Sequence, residues 1–432
     1  MRSLFFSRLV VGLNIGATAV CLCSCSRKLV VEDVNGSTGG ATAQQVSTGG
    51  TSTASSGAAQ NMGGASVVGV AGASPGAGAT GPRSNNGNSG NPVPLVDGGT
   101  VQHVNLSSSV DQAKDASGSL VTSVQVLADA LTSVELPAVG DDGVSLVQYL
   151  STTHADVLHV DWNGVQTQWY QSGNAYYIYT GASGSHHLGT LQSTALYPIH
   201  EDGGEMDVSG TPTTFKEFLA VNGQGFAWVN YPQRAMHIPP VGGQTMADLG
   251  EVVFQTFTGT RTILTDNLRY RNRIDLSATD LAFVEYADTN PGTVGQIGVQ
   301  PLTGGAEVIA APSANHQDRP AIDGDWVVWE EYLNTTDSVI RGRNLVTGEV
   351  RDLSGTSGFR TNPDIRGTRV VWEDQRGSDS DIYMIDLADG QPERIVISGT
   401  GYSTGARLTA DGLVWIEIVG SDIGLLSATF AQ

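Results

Sequence analysis

From Ser26 onward the chain contains no cysteine; the three it has stand at 21, 23 and 25. That excludes a disulfide framework and a Cys-x-x-Cys metal knuckle from the body of the protein. Lysine is almost absent too. Positive charge is carried by arginine, and Lys plus Arg total 22 against 43 Asp plus Glu. The formal charge of −21 argues against a nucleic-acid or phosphate-rich partner and suits solubility outside the cell. Charged residues make up 15% and aromatics 7% of 432 residues, enough chain for one large domain or two small ones. No Ser-His-Asp set, P-loop or dinucleotide fingerprint stands in a credible strand–helix context. The Gly-x-Ser-x-Gly letters at 72–76 fall in low-complexity sequence.

What is present begins with a leader. Arg2 and Arg8 flank the start of an apolar run, 9–20, that is too short to span a bilayer as a stable helix. "LCSC" follows, Leu22 to Cys25, and resembles the lipobox of bacterial lipoproteins. The resemblance implies a signal peptide over 1–24, lipidation of Cys25 and, with Ser26 next, export to the outer membrane, on the periplasmic face or the cell surface. Cleavage there would remove Arg2 and Arg8 and take the formal charge from −21 to −23. Residues 25–98 are dominated by Gly, Ser, Ala, Thr and Asn without an apolar face, a composition that cannot offset chain entropy and predicts a disordered tether. A coil of that length has a root-mean-square span of roughly 45 Å.

The remainder, 99–432, repeats. Six segments end in an aromatic, at Trp169, Trp228, Phe283, Trp329, Trp372 and Trp415. Five positions earlier stands a small residue (Gly164, Gly223, Ala278, Gly324, Gly367, Ala410), preceded by a polar one (Asn163, Asn222, Ser277, Asp323, Arg366, Thr409) and an apolar one (Trp162, Val221, Leu276, Ile322, Ile365, Leu408). The pattern reads as strand, tight turn, strand, with the small residue supplying a positive φ or a close approach. A second pair of strands follows, clearest at 381–398, 339–354 and 296–310. Aromatic spacings of 59, 55, 46, 43 and 43 with four strands per unit predict an all-β fold, a β-propeller of four-stranded blades. The expectation is six blades, or seven if 100–155 forms a degenerate one. The best copy, "PDIRGTRVVWEDQRGSDSDIYMIDLADGQPERI", resembles a blade of TolB-type propellers through Pro363, Asp374, Arg376, Gly377, Asp381, Ile382, Tyr383, Asp386, Leu387 and Gly390. The likeness is strongest over 319–399.

A ring whose last unit lacks its fourth strand closes by borrowing an N-terminal one, which removes an unpaired edge. "TVQHVNL" (100–106) and segments of 119–150 can supply it, although Leu120, Val124, Leu127 and Leu131 also fit one helix face.

Two sets of side chains could carry chemistry. Two residues past each aromatic stand Gln171, Asn230, Glu285, Glu331, Asp374 and Glu417. Equivalent positions in a propeller form a ring, so Glu285, Glu331, Asp374 and Glu417 are candidates for a cation or sugar-hydroxyl site; the plainer reading pairs each carboxylate inside its own blade. Five of eight histidines lie between 154 and 200 (His154, His159, His186, His187, His200), followed by an acidic run. His186, His187, His200, Asp202 and Glu205 are the metal candidates, imidazole suiting zinc and oxygen suiting calcium. A solvated loop is the plainer reading. No cofactor is otherwise expected.

These observations predict a lipid-anchored envelope propeller: a non-enzymatic binding or scaffolding module, monomeric, with a membrane contact through its N-terminus and a protein or glycan partner on one rim. The alternative is a metal-dependent carbohydrate-active enzyme of lyase type on the same scaffold.

Overall fold

A computed structural model of the chain describes Leu106, 110–112, 114–115 and 118–431, apart from 152–153, 170–175, 193–198, 202–203, 206–214, 232–249, 267, 287–293 and 378. The leader, Cys25 and the tether lie outside the described residues. Among the described residues there is no α-helix, and none therefore is long and apolar enough to cross a membrane.

Seven four-stranded blades form a closed propeller. Blade 1 runs from Ser133 to Trp169, blade 2 from Tyr176 to Glu205, blade 3 from Phe215 to Ile263 and blade 4 from Tyr270 to Ile309. Blade 5 covers Gln317–Asp352, blade 6 Phe359–Gly399 and blade 7 Tyr402–Phe430. The expected six is therefore one short and the alternative of seven is what forms, although the extra blade runs past 155 to Trp169. The first repeat copy had been read out of phase: the turn at Asp161–Val165 joins the third and fourth strands of blade 1, and Trp169 lies on that outer strand. The hairpins equivalent to Arg366↔Arg369 close at Gly140–Gly143 in blade 1 and Ser183↔His186 in blade 2. Counting on from them puts Leu146 and Gly189 where the other blades carry Trp228, Phe283, Trp329, Trp372 and Trp415. The aromatic signal is missing there, so two blades were fused into one.

Closure uses the N-terminal strand Val121–Ala128, paired antiparallel to Asp422–Phe430 (Leu426↔Val126, Ala428↔Val124). The segment is a strand and not a helix because it fills the vacant edge of blade 7: Leu127 and Ala128 bury against Val414, Ile416 and Leu425. Val110–Gln112 adds a fifth strand outside blade 6. Among the described residues, six apolar clusters fill the seven junctions of neighbouring blades, one of them running continuously through blades 3, 4 and 5. Val147, Ala155 and Leu191 hold blade 1 to blade 2, and Leu188 and Trp228 hold blade 2 to blade 3. Trp372 with Val328 and Ile340 joins blades 5 and 6, while Leu146 and Leu158 with Val414 join blade 1 to blade 7. No single core exists; stability is distributed around the ring, each fully buried side chain contributing about 1.5–3 kcal/mol.

The inner strands share a device with no signature in the sequence pattern. In blades 3 to 7 the register slips at one bulge, whose residue is left-handed: Phe218, Arg273, Arg319, Asn362 and Gly405, with φ of 56°, 49°, 51°, 53° and 65°. Four of these are not glycine, a conformation that costs an ordinary residue about 1–2 kcal/mol. The bulge bends each inner strand where the blades converge on the axis.

Candidate functional site

The bulged inner strands surround a channel of about 570 Å³ that opens at the first-to-second strand turns. Charged side chains stand at the bulge in two blades (Arg273, Arg319) and two or four residues beyond it in blades 4 to 7 (Asp275, Asp323, Asp364, Arg366, Arg407). Asp275 Oδ2 accepts the Ile322 N–H of the next blade at 2.8 Å, and Asp364 Oδ2 accepts that of Leu408 at 2.7 Å. Asp323 Oδ2 takes the Gly367 N–H at 2.6 Å. Burial pushes Asp275 up to about 7, with Asp364 adding repulsion, and burial likewise raises Asp364, opposed by Arg407. Arg273, Arg319, Arg366 and Arg407 line the same channel. Four guanidinium groups thus share the lining with four carboxylates, Glu135 being the fourth. Arg273 pairs with Asp318 at 3.7 Å and Arg319 with Glu330 at 3.5 Å, and burial biases Asp275 and Asp364 toward the neutral form. Arg366 stands exposed at the mouth, its side chain making no hydrogen bond or ion pair among the described residues. With two of its four acids biased toward the neutral form, the lining leans positive in a chain of overall charge −21.

Below the bulge, carboxylates knit blade to blade. Glu373 Oε1 accepts Asn362 Nδ2 at 2.5 Å and the Gly405 N–H of blade 7 at 2.7 Å; Glu330 Oε2 accepts Thr361 Oγ1 of blade 6 at 2.5 Å. Both are fully buried, and burial raises both pKa values.

The four acidic candidates of the repeat column face partners near at hand. Asp374 binds the Arg376 backbone N–H at 3.0 Å and Nε at 2.8 Å, and pairs with buried Arg360 at 3.0 Å. Glu331 pairs with Arg341 at 3.1 Å and accepts Ser313 Oγ at 2.8 Å; Glu417 accepts Ser403 Oγ at 2.7 Å and Trp415 Nε1 at 3.1 Å. Glu285 pairs with Arg269 and, at 2.7 Å, with Arg271. Asn230 donates to Glu251 at 2.8 Å, and Gln171 lies outside the described residues.

The histidines do not gather as one group. His186 Nδ1 meets Glu201 at 2.5 Å and stacks on Phe257, ring centroids 3.6 Å apart. His200 is buried on the neighbouring strand. Asp202 is outside the described residues, as is the side chain of Glu205. His187 turns the other way. Its Nδ1 lies 2.7 Å from Ser145 Oγ and its Nε2 2.8 Å from Asp142 Oδ1, while its ring meets that of His159 edge-on at 4.4 Å. One ligand atom from each of Asp142, His159 and His187 falls within 4.8 Å of the others. Burial, helped by His187, lowers the His159 pKa; for Asp142 partial burial is outweighed by the His187 hydrogen bond and the value falls. The cluster lies near the channel, Asp142 three residues and His187 four residues past the channel-lining stretches 135–139 and 179–183.

The sequence reading missed the channel arginines and Asp142. The first occupy no conserved-looking column, because neighbouring blades place different residues there. Asp142 sits in a "GDDG" turn recognisable as a blade hairpin once the missing aromatic is allowed for.

No family model matches the chain, and no curated protein does. Among solved structures it is similar to an oligogalacturonate lyase in complex with manganese, TM-score 0.52 at 11% identity, over 75% of this chain and 96% of that one. A prolyl endopeptidase gives 0.49 at 11% identity, over 71% of this chain and 51% of that one. A putative TolB from Agrobacterium tumefaciens gives 0.37 at 12% identity, over 50% and 77% respectively. Identities this low speak to architecture alone, and what the chain shares with the lyase is the β-propeller fold.

Proposed function

We propose that the chain is a lipid-anchored envelope propeller that binds, without chemistry, a glycan or protein segment presenting carboxylate or hydroxyl groups to the channel mouth. The anchor is Cys25, the tether 25–98 carries the ring away from the bilayer, and the ring acts as a monomer. One observation carries the binding reading: exposed Arg366, free of hydrogen bonds among the described residues, lines with Arg407 a channel in which Asp275, Asp323 and Asp364 are already committed to backbone N–H groups. Ligand pockets of about 300–1,000 Å³ hold several sugar rings or a short peptide end. Calorimetry or array binding of soluble acidic and neutral oligosaccharides and short peptides tests it, comparing wild type with Arg366→Ala/Arg407→Ala and, as a distant control, Val346→Ala. At least a tenfold loss of affinity in the double variant alone is expected, about 1.4 kcal/mol. Binding that the double variant retains would place the ligand elsewhere. Palmitate labelling lost in Cys25→Ala is the expected result for the anchor.

A second reading, a metal-dependent carbohydrate-active enzyme of lyase type, is favoured by a single feature: two imidazoles and a carboxylate converge near that channel.

A further inference from the structure

We infer that Asp142, His159 and His187 form a binding site for a borderline divalent transition ion, zinc above all, that staples blade 1 to blade 2. This stands apart from the channel reading; either can fail alone. Asp142 comes from the first hairpin turn of blade 1, His159 from its third strand, and His187 from the second strand of blade 2. Two imidazoles and one carboxylate with an open position are a donor set that zinc takes, and its bonds of about 2.0–2.1 Å need donors roughly 3.3 Å apart. The three groups lie within 4.8 Å of one another, so the donors need to close by at most about 1.5 Å.

Three independent features point to an ion and not to a plain hydrogen-bonded cluster. His159 Nε2 is buried and has no hydrogen-bond partner, an arrangement that ordinarily costs about 1–3 kcal/mol. His187 is held from behind by Ser145 Oγ at 2.7 Å, the outer contact that fixes the tautomer and orientation of a ligating imidazole. Space for both rings comes from glycine. A Cβ on Gly140 would meet His187 Nε2 at 2.6 Å, and one on Gly143 would meet His159 Nε2 at 2.8 Å. Asp142 is about half exposed, which leaves the ion an entry path and a face for water. The location also has a mechanical rationale. Blade 2 carries Gly189 in place of the interior aromatic, so this junction has a smaller apolar cluster than those of blades 3 to 5.

The test uses the full chain without an affinity tag. Cobalt(II) titration followed by visible d–d absorption, then displacement by zinc, reads stoichiometry and affinity; thermal unfolding with zinc or with chelator reads the staple. Wild type is expected to take up one equivalent, with zinc raising the unfolding midpoint. Asp142→Asn and His159→Ala should each weaken zinc by at least about tenfold, the least seen when even outer-shell support is lost, and abolish the midpoint shift. His154→Ala, on the far end of the same strand, should do neither. Asp142 is an exposed turn residue, so its variant reports even if His159→Ala fails to fold. Equal zinc affinity in wild type and Asp142→Asn, or no uptake of cobalt or zinc by wild type, overturns the site.

Discussion

Blades 4 to 7 and blades 1 to 2 follow one plan and look unalike in sequence. In the later blades a buried aromatic, Phe283, Trp329, Trp372 or Trp415, marks every second strand. In the first two, Leu146 and Gly189 take its place, and the junction is filled from the edges by Val147, Val157, Trp169 and Leu191. A blade junction therefore needs filled volume and not one particular residue. Beside the junction that lacks the aromatic stand His159 and His187. The regular half fixes the ring, and the irregular half holds the candidate ion site.

The largest expected effect separates two tryptophans that the repeat pattern treats as equals. Trp372 is fully buried among Val328, Ile340, Val370 and Tyr383. Trp372→Ala should cost about 3–5 kcal/mol. Trp169 retains 8% exposure on the outermost strand of blade 1. Its replacement by alanine should cost about 2 kcal/mol, because the edge can collapse. Urea unfolding midpoints decide it. Equal costs would mean that Trp169 anchors its blade as Trp372 does, and the contrast between the halves would fall.

Next comes the acidic turn of blade 6, where one carboxylate serves two arginines of different standing. Asp374 and Arg360 are both about 1% exposed, while Arg376 is 35% exposed at the surface. Asp374→Ala leaves Arg360 buried without its counter-charge and should destabilise by about 3–5 kcal/mol. Arg376→Ala removes a half-exposed pair and should cost about 1 kcal/mol or less. A loss for Arg376→Ala as large as for Asp374→Ala would give this turn a role beyond holding its own hairpin.

How much of this was legible follows from what repeats. Strand alternation and the aromatic column repeat, so the all-β class, the blade size and closure by an N-terminal strand could be read, though not which of 100–106 and 119–150 supplies it. The count could not, since Gly189 gives no mark and the turn at Asp161–Val165 imitates one. The bulge was invisible for a different reason: Phe218, Arg273, Arg319, Asn362 and Gly405 share a backbone conformation imposed by convergence at the axis, with no chemistry in common. Channel charges were hidden likewise, because Asp275, Ala321, Asp364 and Arg407 are one structural position filled by three different side chains. His187 was singled out; its companions Asp142 and His159 come from another blade, and a linear spacing cannot show that.

Channel acids also make stability depend on pH. Burial raises Asp275 to about 7 from an ordinary 3.8, so between those values the folded chain binds a proton that the unfolded chain has released. Its contribution is full below about pH 4 and is lost as pH rises through about 7. Asp275→Asn keeps an oxygen for the Ile322 N–H and cannot ionise. The variant should match wild type at pH 4 and exceed it by about 2 kcal/mol at pH 8, less than the full shift implies because Asp275 is not fully buried. Parallel stability curves for the two proteins would show that Asp275 is ionised throughout, and the channel would then lose its positive bias.

The smallest effect concerns the small residue ahead of each second strand. Gly324 and Gly367 have φ of 52° and 60°, whereas Gly223 and Ala278 do not enter the left-handed region. The preceding side chain explains the split. Asn222 Oδ1 accepts the N–H groups of Gln224 and Gly225 at 2.9 and 3.0 Å, and Ser277 Oγ accepts those of Thr279 and Asp280 at 3.2 and 2.9 Å. These turns are capped by their own polar residue and need no left-handed one. Asp323 instead reaches across to the Gly367 N–H of the next blade, leaving its own hairpin to a left-handed glycine. A Cβ meets nothing within 4 Å at Gly223 or at Gly367, so backbone conformation alone distinguishes them. Gly367→Ala should cost about 1 kcal/mol, and Gly223→Ala should be neutral or stabilise by about 0.5 kcal/mol through the unfolded chain. A cost at Gly223 equal to that at Gly367 would show that the Asn222 cap does not set its turn, and the regular blades would be less alike than their sequences.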